Sequence, residues 1–274
     1  MIKIINLDEL FDKSIKDYVY KNMGKVKPEE IENEMPILYE KFGDTKLAEL
    51  DGCTPNTYYK QFSINELLSC LKVQLESKVP ISDYLCEAII ESENASEIIV
   101  KQLYEDGDEQ YMVYLMNMVE DIGGKIPVNR YLEFIVCDYS QTIREIATEA
   151  LSRIANSAKE EVLSAYQNAG EEVKVCLVEI MANMEEDDRI FKILIDEFLK
   201  NTDKIAQYAL YLSRYGDQRA IDVLMECIEN ENINYADFEE LRFAIEALGG
   251  EYTKQRDFSR DSLYKKIKQK TDKN

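Results

Sequence analysis

The stretch YGDQRAIDVLMECIEN, residues 215–230, carries the pattern from which the fold is predicted. Gly216 is suited to the left-handed turn that ends a helix, and Asp217 is suited to capping the next one. Apolar residues then follow at helical spacing, at Ile221, Leu224 and Ile228. The stretch predicts a helix over about 218–229, and the fold depends on whether this unit recurs.

Predicted helix starts do recur, at intervals of roughly 31 residues. SINE, NASE and SAKE begin at Ser63, Asn94 and Ser157, and each places a glutamate three residues after a capping side chain. In such a capping box, the first side chain accepts a hydrogen bond from the backbone N–H three residues later, and the glutamate side chain accepts one from the backbone N–H of the first residue. The predicted starts are Ser63, Asn94, the neighbourhood of Pro127, Ser157, Asp187 or Asp188, and Asp217.

A second series of apolar residues lies between those starts. Its anchors are Leu85, Leu115, Ala147, Leu177, Ala209 and Ala244. Four residues after each anchor comes another apolar or small residue, on the same helix face, and Ser213 is the weakest of these. Two interleaved series with one period predict an all-α fold of about six helical hairpins that stack into a continuous core.

The hairpins have predicted bounds. The first helices are expected at roughly 64–76, 96–105, 127–136, 158–168, 188–199 and 218–229. The second helices are expected at roughly 81–92, 110–122, 140–154, 171–184, 203–214 and 236–248.

These residues resemble HEAT repeats, in particular the short bacterial type also found in phycobilin lyases. Gly216-Asp217 opens a first helix, and EELRFAIEALGGE forms a second. Members of this family often have a basic residue three positions before the anchor, and Arg144 and Lys174 match this. The equivalent positions in three other hairpins hold non-basic residues instead, Met112, Ala206 and Leu241. The resemblance covers about 64–249 and implies a right-handed α-α superhelix.

The two ends of the chain differ from the repeats. Residues 1–62 are predicted to form a helical N-terminal cap, 63–250 the HEAT-like solenoid, and 251–274 a basic C-terminal helix or tail. Two helices are expected in the cap, at about 7–22 and 28–43. The segment around Tyr58 and Tyr59 either seals the first repeat or forms a binding loop, and the sequence leaves both open.

Charge restricts the partners. The formal net charge is −21, and residues 256–274 alone carry +4, so the rest of the chain stands at −25. Nucleic acids and anionic membranes repel such a body, whereas a basic or neutral protein or peptide does not. The N-terminal stretch lacks the apolar core of a signal peptide. The sequence also contains no run of ~18 apolar residues, which a membrane-spanning helix would need. We therefore expect a cytoplasmic protein that is a monomer or a weak homo-oligomer.

Residues suited to catalysis are few. The chain has no histidine, and its six cysteines form no C-x-x-C pair, so we expect them to be reduced packing residues. The acidic runs at 104–111 and 184–190 lack the spacing of a calcium loop. The sequence therefore predicts no catalytic residue, no metal site and no cofactor.

A surface row is the best candidate for a binding site. The position two residues after each anchor lies ~200° around the helix and faces away from the core. In solenoids of the resembling type, the second helices line the concave side. The predicted partner-binding residues are Glu87, Asn117, Glu149, Glu179, Tyr211 and Glu246, with Glu172 and Glu239 beside them.

The predicted function is a non-enzymatic scaffold or adaptor that holds a basic or neutral partner on this acidic surface. The alternative is an enzyme or enzyme subunit resembling HEAT-type lyases, and a nucleic-acid-binding repeat protein ranks below it.

A separate hypothesis concerns the basic C-terminal helix, which could dock on the acidic surface of its own chain or of a neighbouring copy. Exposed charge pairs contribute little, so its apolar residues would carry that docking. These are Phe258, Leu263, Tyr264 and Ile267.

Overall fold

A computed structural model describes residues 2–22, 28–105 and 107–271. Within these residues all regular structure is helical, which confirms the all-α prediction. The chain divides into two compact units, residues 1–127 and 128–274. The domain limits predicted at 62/63 and 250/251 lie inside these units.

The first unit pairs helices that follow one another in the chain. Helix α1 packs against α2, α4 against α5, and α6 against α7, and α5 also contacts α7. The helices are α1 (Leu7–Lys21), α2 (Pro28–Gly43), α3 (Pro55–Tyr58), α4 (Ile64–Glu76), α5 (Asp83–Ile90), α6 (Ala95–Gln102) and α7 (Glu109–Asp121).

The described part of the second unit contains four helical hairpins and one further helix. Its helices are α8 (Val128–Val136), α9 (Gln141–Arg153), α10 (Lys159–Asn168), α11 (Glu171–Met181), α12 (Asp188–Lys200), α13 (Ile205–Tyr215), α14 (Ala220–Ile228), α15 (Tyr235–Ala247) and α16 (Ser262–Thr271). The hairpins are α8–α9, α10–α11, α12–α13 and α14–α15, and their second helices contact one another in chain order. The predicted pairs are therefore present, with bounds that agree to within a few residues.

The three predicted capping boxes have different outcomes. At Ser63 the prediction is confirmed, because Glu66 accepts hydrogen bonds from both the backbone N–H and the hydroxyl of Ser63. Asn94 is the N-cap of α6 as predicted, but its side chain makes no capping hydrogen bond, and its backbone is left-handed with φ 57°. The prediction at Ser157 is wrong, because residues 155–158 form a 3-10 turn and α10 begins only at Lys159.

Ion pairs link successive first helices in the second unit. Arg189 binds both Asp187, the cap of α12, and Glu160 of α10. Arg219 repeats this thirty residues later, since it binds Asp217 and also reaches Asp188 of α12 at 2.9 Å. The predicted helix start at Asp217 is corrected in detail. The Asp217 side chain caps a turn, and α14 begins at Ala220 rather than at 218.

The segment between α2 and α4 is folded against neighbouring helices. Asp51 and Gly52 form a turn, with φ of 55° and 81°. Thr54 is the N-cap of α3, and Pro55 is its first residue. Tyr58 and Tyr59 are buried and pack edge to face, with ring centroids 5.1 Å apart. Their burial favours the sealing role over the binding loop.

Gln74 is a buried polar residue of the first unit whose side-chain amide makes no hydrogen bond within the described residues. Burial raises the pKa of the adjacent Tyr59 hydroxyl to about 12. We expect Gln74→Leu either to lower the free energy of unfolding by less than about 1 kcal/mol or to raise it, because the substitution breaks no hydrogen bond. Chemical denaturation measures the difference.

Leu71→Ala is the matched control for Gln74→Leu. Leu71 lies one turn earlier on the same helix and is fully buried. Its truncation is expected to cost about 2–5 kcal/mol through lost burial and the cavity left behind. A comparable loss in Gln74→Leu would contradict the prediction and show that the amide is hydrogen-bonded in solution.

None of the helices in the described ranges is both long and apolar enough to cross a membrane.

Candidate interaction surface

The second helices α9, α11, α13 and α15 bury the same side of their surfaces. In each, a buried residue is followed by buried residues three and four positions later. These leading residues are Ala147, Leu177, Tyr208 and Leu241. The position two residues after each leading residue points to the opposite side of the helix, because each residue turns the helix by about 100°. Those outward positions hold Glu149, Glu179, Leu210 and Phe243.

Two of these outward residues were missed by the sequence prediction. The structure aligns Tyr208 and Leu241 with Leu177, whereas the sequence prediction aligned Ala209 and Ala244. Both alanines are buried, so the prediction that they face the core is confirmed. The shift nevertheless changes which residue points outward. Ser213 gave a hint, because a polar residue is a poor fit for a core position that Leu212 fills in the structure.

Tyr211 is the clear correction among the predicted binding residues. It was expected on the exposed face, but its side chain is only 3% exposed. Its hydroxyl donates to Glu179 Oε2 at 3.1 Å and accepts from Gln207 Nε2 at 2.7 Å. Burial raises the pKa of this hydroxyl, so it keeps its proton and stays a donor to the carboxylate. Tyr211 joins two neighbouring helices and has no free surface for a partner.

The remaining predicted residues of this unit lie on the surface, but several are paired. Glu149 accepts from Arg153 at 3.1 Å, and Glu239 accepts from Arg242 at 2.6 Å. Glu179 is half-buried against Tyr211, as described above. Glu172 and Glu246 are exposed. Partners from the chain itself therefore offset part of the acidic character that the sequence predicts.

Glu87 and Asn117 belong to the first unit. They are exposed on α5 and α7, two helices that contact each other. The structure therefore confirms that both point away from the core of their own unit.

Leu210 and Phe243 give the surface a second chemical character. Leu210 is 46% exposed and Phe243 is 65% exposed, at equivalent positions of two helices in contact. Glu240 and Glu246 lie about one turn on each side of Phe243, and both are exposed. Aromatic residues are enriched among those that dominate binding energy at protein interfaces. An apolar pair with an acidic rim is a surface suited to another protein.

Four thiols of this chain are not activated for nucleophilic chemistry. All six cysteines are free, and burial raises the pKa of Cys70 and of Cys86 to about 11. Burial also raises the pKa of Cys176 and Cys227 in the second unit. The thiolate is the nucleophilic form, so these four residues are poor nucleophiles near neutral pH.

No group of three or more cysteine or acidic side chains converges as a metal site in the part of the chain that the structure describes. No protein-family model, no curated protein and no solved structure matches this chain. The resemblance to HEAT repeats therefore stays a prediction that rests on the residues quoted above.

Proposed function

We propose that this chain is a non-enzymatic interaction module, a scaffold or adaptor, that binds a basic or neutral protein segment on the exposed side of α9, α11, α13 and α15. The observation that carries the proposal is the exposure of Leu210 and Phe243 at equivalent positions of adjacent helices. Exposed apolar residues that group on one surface are characteristic of interaction sites.

Charge supports the choice of partner. Glu149, Glu172 and Glu246 are exposed acidic residues on the same set of helices. Such residues at the rim speed the encounter with a basic partner and orient it, while the apolar centre supplies most of the affinity. The partner we propose therefore combines apolar anchor residues with flanking lysine or arginine.

The proposal includes the repeat type and the compartment. We propose that the hairpins of each unit are HEAT-like and follow a right-handed α-α superhelix, which the ordered contacts from α9 to α15 support. We also propose a cytoplasmic location, which the six free thiols support because disulfides are rare there.

Site-specific crosslinking tests the proposed function. A photoreactive residue in place of Phe243 is expected to capture a partner protein in cells that make this chain. The matched control is the same residue in place of Glu226, which is exposed on the first helix α14. Crosslinks of equal yield from both positions, or none from 243, would overturn the proposal.

Affinity for the captured partner gives the magnitude. Phe243→Ala is expected to weaken binding at least about thirtyfold, which corresponds to the ~2 kcal/mol of a dominant interface residue. Glu226→Ala is expected to leave the affinity unchanged. Calorimetry with the purified partner measures both.

A further inference from the structure

The last helix, α16, is fixed to its own chain through Tyr264 and through residues just before the helix. The Tyr264 ring packs against Tyr235 of α15, with centroids 5.1 Å apart. Phe258, just before the helix, packs against Tyr235 and Phe238 at 5.3 Å and 5.0 Å. The Asp261 carboxylate accepts the backbone N–H of Tyr235 at 3.3 Å. Two of the four apolar residues of this segment therefore cap the end of the repeats.

The other two apolar residues face solvent in part. Leu263 is 43% exposed and Ile267 is 44% exposed. They are four residues apart, so they share one side of the helix. At 100° per residue, Lys266 and Lys270 lie beside this pair on the side away from Tyr264. Helix α16 is therefore amphipathic and basic, with an apolar pair next to two exposed lysines.

The surface of α13 and α15 has the complementary composition. It presents Leu210 and Phe243 as an apolar pair, with the exposed carboxylates Glu240 and Glu246 on either side of Phe243. A chain cannot readily bring its own α16 there. Tyr264 is held at Tyr235, whereas Phe243 lies eight residues further along α15, about 12 Å away along the axis.

We infer that α16 of one copy docks on the α13–α15 surface of a second copy. Leu263 and Ile267 pack against Leu210 and Phe243, while Lys266 and Lys270 meet Glu240 and Glu246. The apolar contact supplies most of the affinity, and the charges fix the orientation, because exposed ion pairs contribute little by themselves. Each copy offers one helix and one surface, so a two-fold pair makes the contact twice.

This contact goes beyond the proposed function, because it needs no other protein. The second copy covers Phe243, so self-association and partner binding compete for the same surface. Excess partner is expected to dissociate the pair.

Sedimentation of the purified chain over a wide range of concentration tests the inference. The chain is expected to associate as its concentration rises, and Lys266→Glu is expected to weaken the association about tenfold. Lys265→Glu is the matched control, since it makes the same charge change on the side of α16 opposite Leu263. Circular dichroism shows whether both variants keep their helices. Association that is unchanged in Lys266→Glu, or equally weakened in both, would overturn the inference.

Mixing two variants gives a test that misfolding cannot imitate. Chains with Lys266→Glu and Lys270→Glu are expected to be mostly monomeric, as are chains with Glu240→Lys and Glu246→Lys. The mixture is expected to associate again, because the reversed charges are complementary across one contact. Failure to associate in the mixture would overturn the inference, as would a wild-type chain that stays monomeric throughout. A monomeric chain that still binds a partner through Phe243 would leave the proposed function standing.

Discussion

Replacing Phe134 with alanine is expected to lower the free energy of unfolding by about 3–5 kcal/mol. Phe134 lies on α8 and is fully buried. Its ring packs edge to face with Tyr139 at 5.0 Å and with Tyr131 at 6.0 Å, and the Arg130 guanidinium covers it at 4.5 Å. Truncation removes this apolar contact and leaves a cavity that helices of fixed position fill only in part. Urea denaturation followed by circular dichroism measures the loss.

Phe243→Ala is the matched comparison for Phe134→Ala. The same atoms are removed, but the ring is 65% exposed, so a change within about 0.5 kcal/mol is expected. The contrast bears on function, because a large apolar side chain that adds little stability is more readily explained by binding. If Phe243→Ala cost as much as Phe134→Ala, Phe243 would be a core residue and the proposed binding surface would lose its centre.

Replacing Asp217 with alanine is expected to cost about 2 kcal/mol, through a lost cap and a lost charged hydrogen bond. The Asp217 carboxylate accepts the backbone N–H of Arg219 at 2.9 Å and the Arg219 guanidinium at 2.6 Å. The same guanidinium reaches Asp188 and lies 4.2 Å from the centre of the Phe191 ring. The loss therefore loosens the contact between α14 and the preceding hairpin. Asp222→Ala, an exposed aspartate on α14, is expected to cost less than about 1 kcal/mol.

Acid is expected to weaken the same contacts. Hydrogen bonds from Arg219 hold the pKa of Asp217 below its usual value, and those from Arg189 lower the pKa of Asp187 to about 2. A carboxylate with a depressed folded pKa stabilises the protein above its unfolded pKa of about 3.9. This contribution is lost as the pH falls from about 4 towards 2.

The double variant Asp187→Asn, Asp217→Asn tests the pH dependence. Asparagine keeps an oxygen acceptor for the backbone N–H but cannot titrate. The free energy of unfolding of the double variant is expected to fall less steeply than that of the wild type as the pH drops below about 4. Equal slopes in denaturation series across this range would show that other carboxylates control the acid response.

Prediction from sequence succeeded where a local rule decides the outcome. Helix positions follow from apolar residues at helical spacing, and the capping box at Ser63 follows from two side chains three residues apart. The same rule failed at Asn94 and Ser157, where the chain enters the helix through a left-handed residue and a 3-10 turn. At those points the path from the preceding helix determines the backbone, and the local pattern does not describe that path.

The candidate surface was predicted in part for a similar reason. Glu149, Glu172 and Glu246 are exposed as expected. Tyr211 is buried, and Leu210 and Phe243 take the outward positions instead. A tyrosine is compatible with either side of a helix, so composition alone does not decide between them.

By itself, the sequence determined that this protein is all-helical and approximately where its paired helices begin and end. The tertiary structure decided how far each helix is rotated against its neighbours. One residue turns a helix by 100°, so a shift of one position in α13 exchanges Tyr211 for Leu210 on the surface. The rotation of α13 is set by packing against α11 and α15, which lie about thirty residues before and after it in the chain. A pattern of neighbouring residues in the sequence therefore does not predict this rotation.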